Sequence, residues 1–144
     1  MKLIKIRKMT PRRIDDKYFV SPQIDVTDMS DIAKAGFKLV ICNRPNEEVP
    51  TELHADVMKI AAEAAGLDFE VLPLTHQTMT PDNIRRQADL VAQSDGPVLA
   101  YCASGTRSTI AWALGQAGQS SADDIIAAAL KAGYNIEGLR YALS

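Results

Sequence analysis

A cysteine followed within a few residues by a glycine and an arginine is the feature of this sequence with the clearest chemical content: Cys102-Ala103-Ser104-Gly105-Thr106-Arg107-Ser108. A cysteine thiolate is a strong nucleophile, and arginine carries a permanent planar cation whose paired donors match two oxygens of a phosphate or a sulfur oxyanion. Pro97-Val98-Leu99-Ala100-Tyr101 before it reads as a buried strand, and Ile110, Ala113 and Leu114 after it read as one face of a helix. A tight turn between strand and helix aims backbone amides at one point, at the positive end of the helix, which stabilises an anion. Gly105 gives that turn a backbone conformation closed to other residues, and the Ser108 hydroxyl is placed to hydrogen-bond the sulfur. The plainer alternative is that Cys102 is a small buried hydrophobe and Arg107 a solvated first-turn residue.

Two other segments end strands near the same edge. Asn43-Arg44-Pro45 follows the apolar run 37–41 and precedes Glu47 and Glu48. Arg44 reads as a second anion contact and Glu47 or Glu48 as a proton donor, or all three as a solvated charged loop. His76, in Thr75-His76-Gln77, is of a residue type able to transfer protons near neutral pH, with a bland loop histidine as the alternative. Cys42 would become a redox partner if its sulfur came within reach of Cys102, and is otherwise an inert buried thiol.

The elements that must position these residues alternate between strand and helix. Short β-prone runs at 3–6 and 18–20 flank the polar break Thr10-Pro11-Arg12-Arg13. Thr27 caps a helix over Met29, Ile32 and Ala33 that Gly36 closes, and Thr51 caps another with an apolar stripe of Leu53, Val57, Ile60, Ala61 and Ala64, ending at Gly66. After a strand at 69–72, Thr80-Pro81 opens a helix with Ile84, Ala88 and Val91 inward. Two further helices are expected, one capped by Ser121 with Asp124 three residues on, the other from about residue 135. This order predicts a three-layer α/β domain with a mostly parallel central sheet and helices on both faces, and such sheets bind ligands at the carboxyl ends of their strands.

Composition bounds the rest. The 144 residues suit a single domain spanning 1–144, and 47% hydrophobic with 24% charged residues is ordinary for a globular fold. Sixteen Lys and Arg against 18 Asp and Glu leave a net charge of -2, so no global positive field calls for nucleic acid or an anionic membrane as partner. The expected partner is a small anionic substrate bound at a local site. The basic start MKLIKIRKMT has charges interrupting every apolar run, so no leader peptide is read there and a cytoplasmic location is expected. Isolated cysteines fit that reducing compartment, and the two histidines, His54 and His76, lack ligand spacing, so neither metal nor cofactor is expected. Trp112 and Tyr141 read as core or interface aromatics, which leaves a homo-oligomer open. Arg12, Arg13, Arg85 and Arg86 either decorate the cleft rim or face water.

Three segments together resemble a known family: Cys42-Asn43-Arg44-Pro45-Asn46-Glu47-Glu48, then Ala64-Ala65-Gly66-Leu67 leading to Leu72-Pro73-Leu74, and Gly96 to Ser108. They are similar to the bacterial beta-lactamase hydrolase-like protein, phosphatase-like domain family, whose fold is similar to tyrosine and dual-specificity phosphatases. The resemblance implies a phosphatase-like fold, a loop from Cys102 to Ser108 with Cys102 as nucleophile and Arg107 as oxyanion binder, and hydrolysis through a cysteinyl-phosphate. Two departures stand out. Four residues separate Cys102 from Arg107 where ordinary tyrosine phosphatases have five, and Tyr101 precedes the cysteine in place of a histidine. No aspartate follows residues 69–72 as general acid before Asp82, which reads as a first-turn helix residue. The short loop is also similar to that of rhodanese-type sulfurtransferases, so transfer of a sulfane sulfur through a Cys102 persulfide is the alternative activity. A non-catalytic anion-binding module is the third. The family more often shows Asn where this chain has Cys42.

Overall fold

The computed structural model describes residues 10–144. The run 3–6, read above as a strand, lies outside them. A five-stranded sheet runs in the order β1-β2-β5-β3-β4, built from β1 (Arg12–Arg13), β2 (Tyr18–Ser21), β3 (Leu39–Cys42), β4 (Asp68–Val71) and β5 (Val98–Tyr101). Every pair is parallel except the edge pair β1–β2. Every residue of β3 and β5 is buried, as expected of central strands covered on both faces.

Alternation along β5 divides the core. Leu99 and Tyr101 face Met29 and Ile32 of α1 (Met29–Lys34) and Met58 and Ala62 of α2 (Ala55–Ala64). Val98 and Ala100 face the other layer, which holds Ala111 and Ala113 of α4 (Thr106–Gln116), Ile125 and Ala129 of α5 (Ala122–Lys131) and Leu143 of α6 (Arg140–Leu143). The long helix α3 (Pro81–Gln93) joins this second layer beside α4. The three-layer, mostly parallel α/β fold is therefore the one expected. No helix among the described residues is long and apolar enough to cross a membrane.

Caps behave as chemistry predicts where the side chain is free to fold back. Thr80 Oγ1 accepts the Asn83 N–H at 3.2 Å, and Ser121 Oγ accepts the Asp124 N–H at 3.0 Å. At the first helix the cap is not Thr27: a 3-10 turn at Val26–Asp28 precedes α1, and Asp25 and Asp28 cap it reciprocally. The Thr51 segment likewise makes only a 3-10 turn, Thr51–Leu53, so α2 starts at Ala55. This moves its buried stripe to Ala55, Met58 and Ala62 and leaves Ile60 70% exposed, where the sequence pattern placed it inward. Small alanines let the helix approach the sheet closely, a packing reason that hydropathy spacing does not register.

Three more differences follow from tertiary contacts. Arg12 and Arg13, read as a break, form an edge strand because the open side of β2 offers them hydrogen-bond partners. The last helix starts at Arg140, after a 3-10 turn at Glu137–Leu139, and Tyr141 is 96% exposed instead of packed in the core. On α3 the deeply buried residue is Gln87, at 1% exposure, amid the stripe of Ile84, Ala88 and Val91.

Candidate functional site

The loop between β5 and α4 is assembled from its own backbone and from three neighbours. Gly105 has φ +96° and forms the turn. Its N–H donates to Cys102 Sγ at 3.1 Å, and its carbonyl accepts from Thr109 Oγ1 at 2.8 Å. The Gln23 N–H donates to the Ala103 carbonyl at 3.2 Å, and Tyr134 Oη donates to the Ser104 carbonyl at 2.9 Å. Ser104 Oγ donates to Thr106 Oγ1 at 2.9 Å and accepts the Thr106 N–H at 3.3 Å. Cys102, buried at 0% exposure, thus sits under a ring of constrained backbone with one amide already aimed at its sulfur.

Arg107 is fixed from the side opposite to the chain. Nη1 donates to Glu48 Oε2 and to the Leu74 carbonyl, both at 2.9 Å, and Nη2 donates to Glu48 Oε1 at 2.8 Å. A guanidinium has five N–H groups, so three are engaged here. The remaining two, on Nε and Nη2, lie along one edge of the planar group, the geometry that binds two oxygens of an oxyanion in parallel. Hydrogen bonding to Glu48 first, and then the charges of Glu48 and Cys102, push the Arg107 pKa up and keep it a cation.

Glu48 is held between two arginines. Arg44 Nε donates to its Oε1 at 3.2 Å and Arg44 Nη2 to its backbone carbonyl at 3.3 Å, while Arg44 Nη1 donates to Gln23 Oε1 at 3.2 Å. The Arg107 hydrogen bonds, ahead of the remaining contributions, hold the Glu48 carboxyl below the usual carboxylate range. That is the state of a positioning anion. The reading of Glu48 as a proton donor does not fit it, because both arginines stabilise the deprotonated form. Glu47 is exposed, with no hydrogen bond or ion pair among the described residues. His76 is exposed on the turn that follows Leu74, the residue whose carbonyl holds Arg107.

Behind the loop lies a buried polar network. Ser108 Oγ donates to Asn43 Oδ1 at 2.8 Å, so its hydroxyl is committed there and not to the sulfur. Asn43 Nδ2 donates to the Leu72 carbonyl at 2.9 Å and to Gln87 Oε1 at 2.8 Å. Gln87 Nε2 donates to Asn43 Oδ1 and to Tyr18 Oη, both at 2.9 Å, and Tyr18 Oη donates to the Ser108 carbonyl at 2.7 Å. These hydrogen bonds tie β2, β3, α3 and α4 together directly behind the cysteine loop. Burial, the largest contribution, raises the Tyr18 pKa and keeps the phenol a neutral donor.

The sequence pattern of the beta-lactamase hydrolase-like protein, phosphatase-like domain family matches residues 10–119. The chain belongs to this family. A beta-lactamase hydrolase-like protein from Agrobacterium fabrum is 34% identical over 105 residues, 73% of this chain and 24% of the relative. One from Xylella fastidiosa is 27% identical over 85% of this chain and 29% of the relative. The chain therefore spans 24–29% of the length of the curated relatives it matches. Among solved structures, a candidate phosphatase from Neisseria meningitidis is 33% identical, covers 92% of this chain and 95% of its own, and superposes with a TM-score of 0.83. TpbA from P. aeruginosa, in complex with pTyr, shares the fold alone at 15% identity and a TM-score of 0.59, with 92% and 89% coverage. The phosphatase-like fold that the family resemblance implies is thus shared with tyrosine-phosphatase-type structures.

In this family member, Cys102, Arg107, Arg44 and Glu48 come together at the carboxyl edge of the sheet. Cys42 donates its thiol to the Arg44 carbonyl at 3.4 Å and packs in the α1–α2 layer, and mainly through burial its pKa is raised. Both cysteines are free thiols. Arg85 pairs with Asp82 and Arg86 with Glu70, away from the loop. Gln87, Tyr18 and Tyr134 were missed by sequence reasoning. A glutamine three residues after Ile84 and four before Val91 lies on the apolar face of its helix, and that placement was the available signal for Gln87. Nothing local marks Tyr134, whose role depends on the approach of α5 to the loop.

Proposed function

We propose that this domain is a cysteine-dependent phosphatase-type hydrolase. The observation that carries the reading is Arg107, locked by Glu48 and the Leu74 carbonyl with one bidentate edge left over, beside a cysteine whose sulfur already receives an amide hydrogen bond. The Cys102 thiolate attacks phosphorus, forming an S–P bond as the ester P–O bond breaks and the leaving group departs as its oxyanion. Arg107 and the amides of the loop hold the non-bridging oxygens, whose charge they stabilise in place of water. Water then attacks phosphorus, the S–P bond breaks, and phosphate and the thiolate are released. Glu48 positions Arg107 and, as a carboxylate, donates no proton. With no carboxylic acid hydrogen-bonded to the loop from Cys102 to Ser108 as a proton donor among the described residues, turnover favours esters whose leaving group needs no protonation, and His76 is the candidate donor for the others.

Phosphate release from 4-nitrophenyl phosphate by freshly reduced, metal-free protein tests this, with Cys102→Ser as the control. Activity in the wild type and none in the variant supports the reading; equal release by both overturns it. The short spacing between Cys102 and Arg107 favours a second reading. In it, Cys102 takes the sulfane sulfur of thiosulfate, releasing sulfite, and passes it from the persulfide to cyanide as thiocyanate. Thiocyanate formation without phosphate release would shift the assignment to sulfur transfer.

A further inference from the structure

A cleft of about 710 Å³ lies between the β1–β2 hairpin and the end of α5, and the charges on its walls do not cancel. Arg13 is paired with Asp16. Asp15 is saturated by its own surroundings: Oδ1 accepts the N–H groups of Lys17 and Tyr18 at 2.9 and 2.8 Å, and Oδ2 accepts from Trp112 Nε1 at 3.1 Å. Arg12 and Lys131 remain, both exposed and neither in an ion pair among the described residues. Arg12 and Lys131 therefore line the cleft beside Ala128 and Ala132 without a carboxylate partner among the described residues, and with Arg13, Asp15 and Asp16 they leave its walls with an excess of positive charge, within a chain whose net charge is -2.

The cleft adjoins the cysteine loop through one side chain. Arg12 Cζ lies 5.1 Å from the centroid of the Tyr134 ring, and the hydroxyl of that ring donates to the Ser104 carbonyl. Tyr134 therefore links Arg12, on the cleft, to the cysteine loop. Antiparallel pairing sets Arg12 opposite Val20, next to the carboxyl end of β2, so the guanidinium stands at the same sheet edge as Cys102.

We propose that Arg12 and Lys131 form a subsite for a second oxyanion, a phosphate or carboxylate on the leaving-group side of the substrate. The preferred substrates are then phosphate monoesters that carry two anionic groups. This rests on the phosphatase reading for the identity of the reacting group, but the subsite itself is testable by binding. The probes are the bisphosphate of a rigid biaryl diol and the corresponding monophosphate, titrated calorimetrically into the Cys102→Ser protein at low salt, with turnover by the wild type measured in parallel. The bisphosphate is expected to bind about tenfold tighter than the monophosphate. Arg12→Gln and Lys131→Gln are each expected to reduce that ratio severalfold, and added salt to reduce it further.

Equal binding of the two probes overturns the subsite. So does a ratio unchanged in both variants, even where Arg12→Gln weakens both probes, because Arg12 would then act only through Tyr134 on the loop. Lys131 does not touch the loop, so its variant separates a subsite from a merely structural role. Failure of the phosphatase reading looks different: neither ester is turned over, while the charge-dependent difference in binding persists.

Discussion

Gly105→Ala is the substitution whose consequence the structure specifies most closely. Two costs arise at one carbon. The backbone there has φ +96°, and holding an L-residue in that left-handed region costs about 1–2 kcal/mol. A Cβ built on Gly105 also falls 2.1 Å from Tyr134 Oη and 2.8 Å from its Cζ, so the ring must move and the hydrogen bond to the Ser104 carbonyl is lost. Overpacking of this kind costs about 1–3 kcal/mol, which brings the expected loss to about 2–5 kcal/mol. That is large against the roughly 5–15 kcal/mol by which domains are stable, yet compatible with a folded protein. Tyr134→Phe removes the closest clash and should cost about 0.5–1.5 kcal/mol alone, for the lost hydrogen bond. The double variant should therefore be more stable than the sum of the two singles by about 1 kcal/mol or more, because the overlap is shared. Urea unfolding of the four proteins gives this coupling directly, and Cys102-dependent turnover reports the loop. A Gly105→Ala protein within about 0.5 kcal/mol of wild type, or strictly additive singles, would refute the reasoning.

Other consequences are equally direct. Glu48→Gln should weaken turnover by loosening Arg107. Its effect on stability should depend on pH: the Glu48 carboxyl titrates below its unfolded value of 4.5, so its contribution is complete above that value and is lost as pH falls through the lower folded one. The stability gap between wild type and Glu48→Gln, measured by denaturant at a series of pH values, should therefore be flat above about pH 5 and narrow below 4.5. Gln87→Leu strands polar atoms of Asn43 and Tyr18 and should cost about 1–3 kcal/mol while lowering turnover, as measured by urea midpoint and kcat. The phase of α2 predicts opposite outcomes for two neighbours: Met58→Ala should cost about 2–5 kcal/mol, whereas Ile60→Lys should stay within about 0.5 kcal/mol. Across a series of aryl phosphates, kcat/KM should fall steeply as the leaving phenol becomes more basic, and His76→Asn should leave the activated esters unaffected; a flat series would mean that an acid donates the proton.

Much of the site was legible because its signal is local. A cysteine between an apolar strand and a glycine-containing turn into a helix needs only neighbours in sequence, so the loop from Cys102 to Ser108 and the parallel sheet around it could be read from residue order. Boundaries and phases were less legible. Thr27 and Thr51 have the chemistry of caps, but aspartates reached the first helix end and the second segment stopped at a single turn. Ile60 followed the helical period and still faces water, because two alanines and a methionine fit the sheet more closely than a β-branched side chain would.

The role of each polar side chain was decided elsewhere. From sequence, Glu47 or Glu48 read as a proton donor or as part of a solvated charged loop, and Ser108 as a partner of the sulfur. In the fold, Arg44 and Arg107 converge on Glu48 and make it an anchor, and Asn43 claims the Ser108 hydroxyl. Spacing along the chain fixes which residue types can meet within a turn or a helix face, because those distances follow from backbone geometry. It does not fix which long side chain satisfies which buried group. That choice is made when strands β2, β3 and β5 align side by side, since every buried donor must then find an acceptor among residues far apart in sequence. The candidate nucleophile was therefore legible in the sequence, and the contacts that hold the neighbouring arginine were decided by the packing.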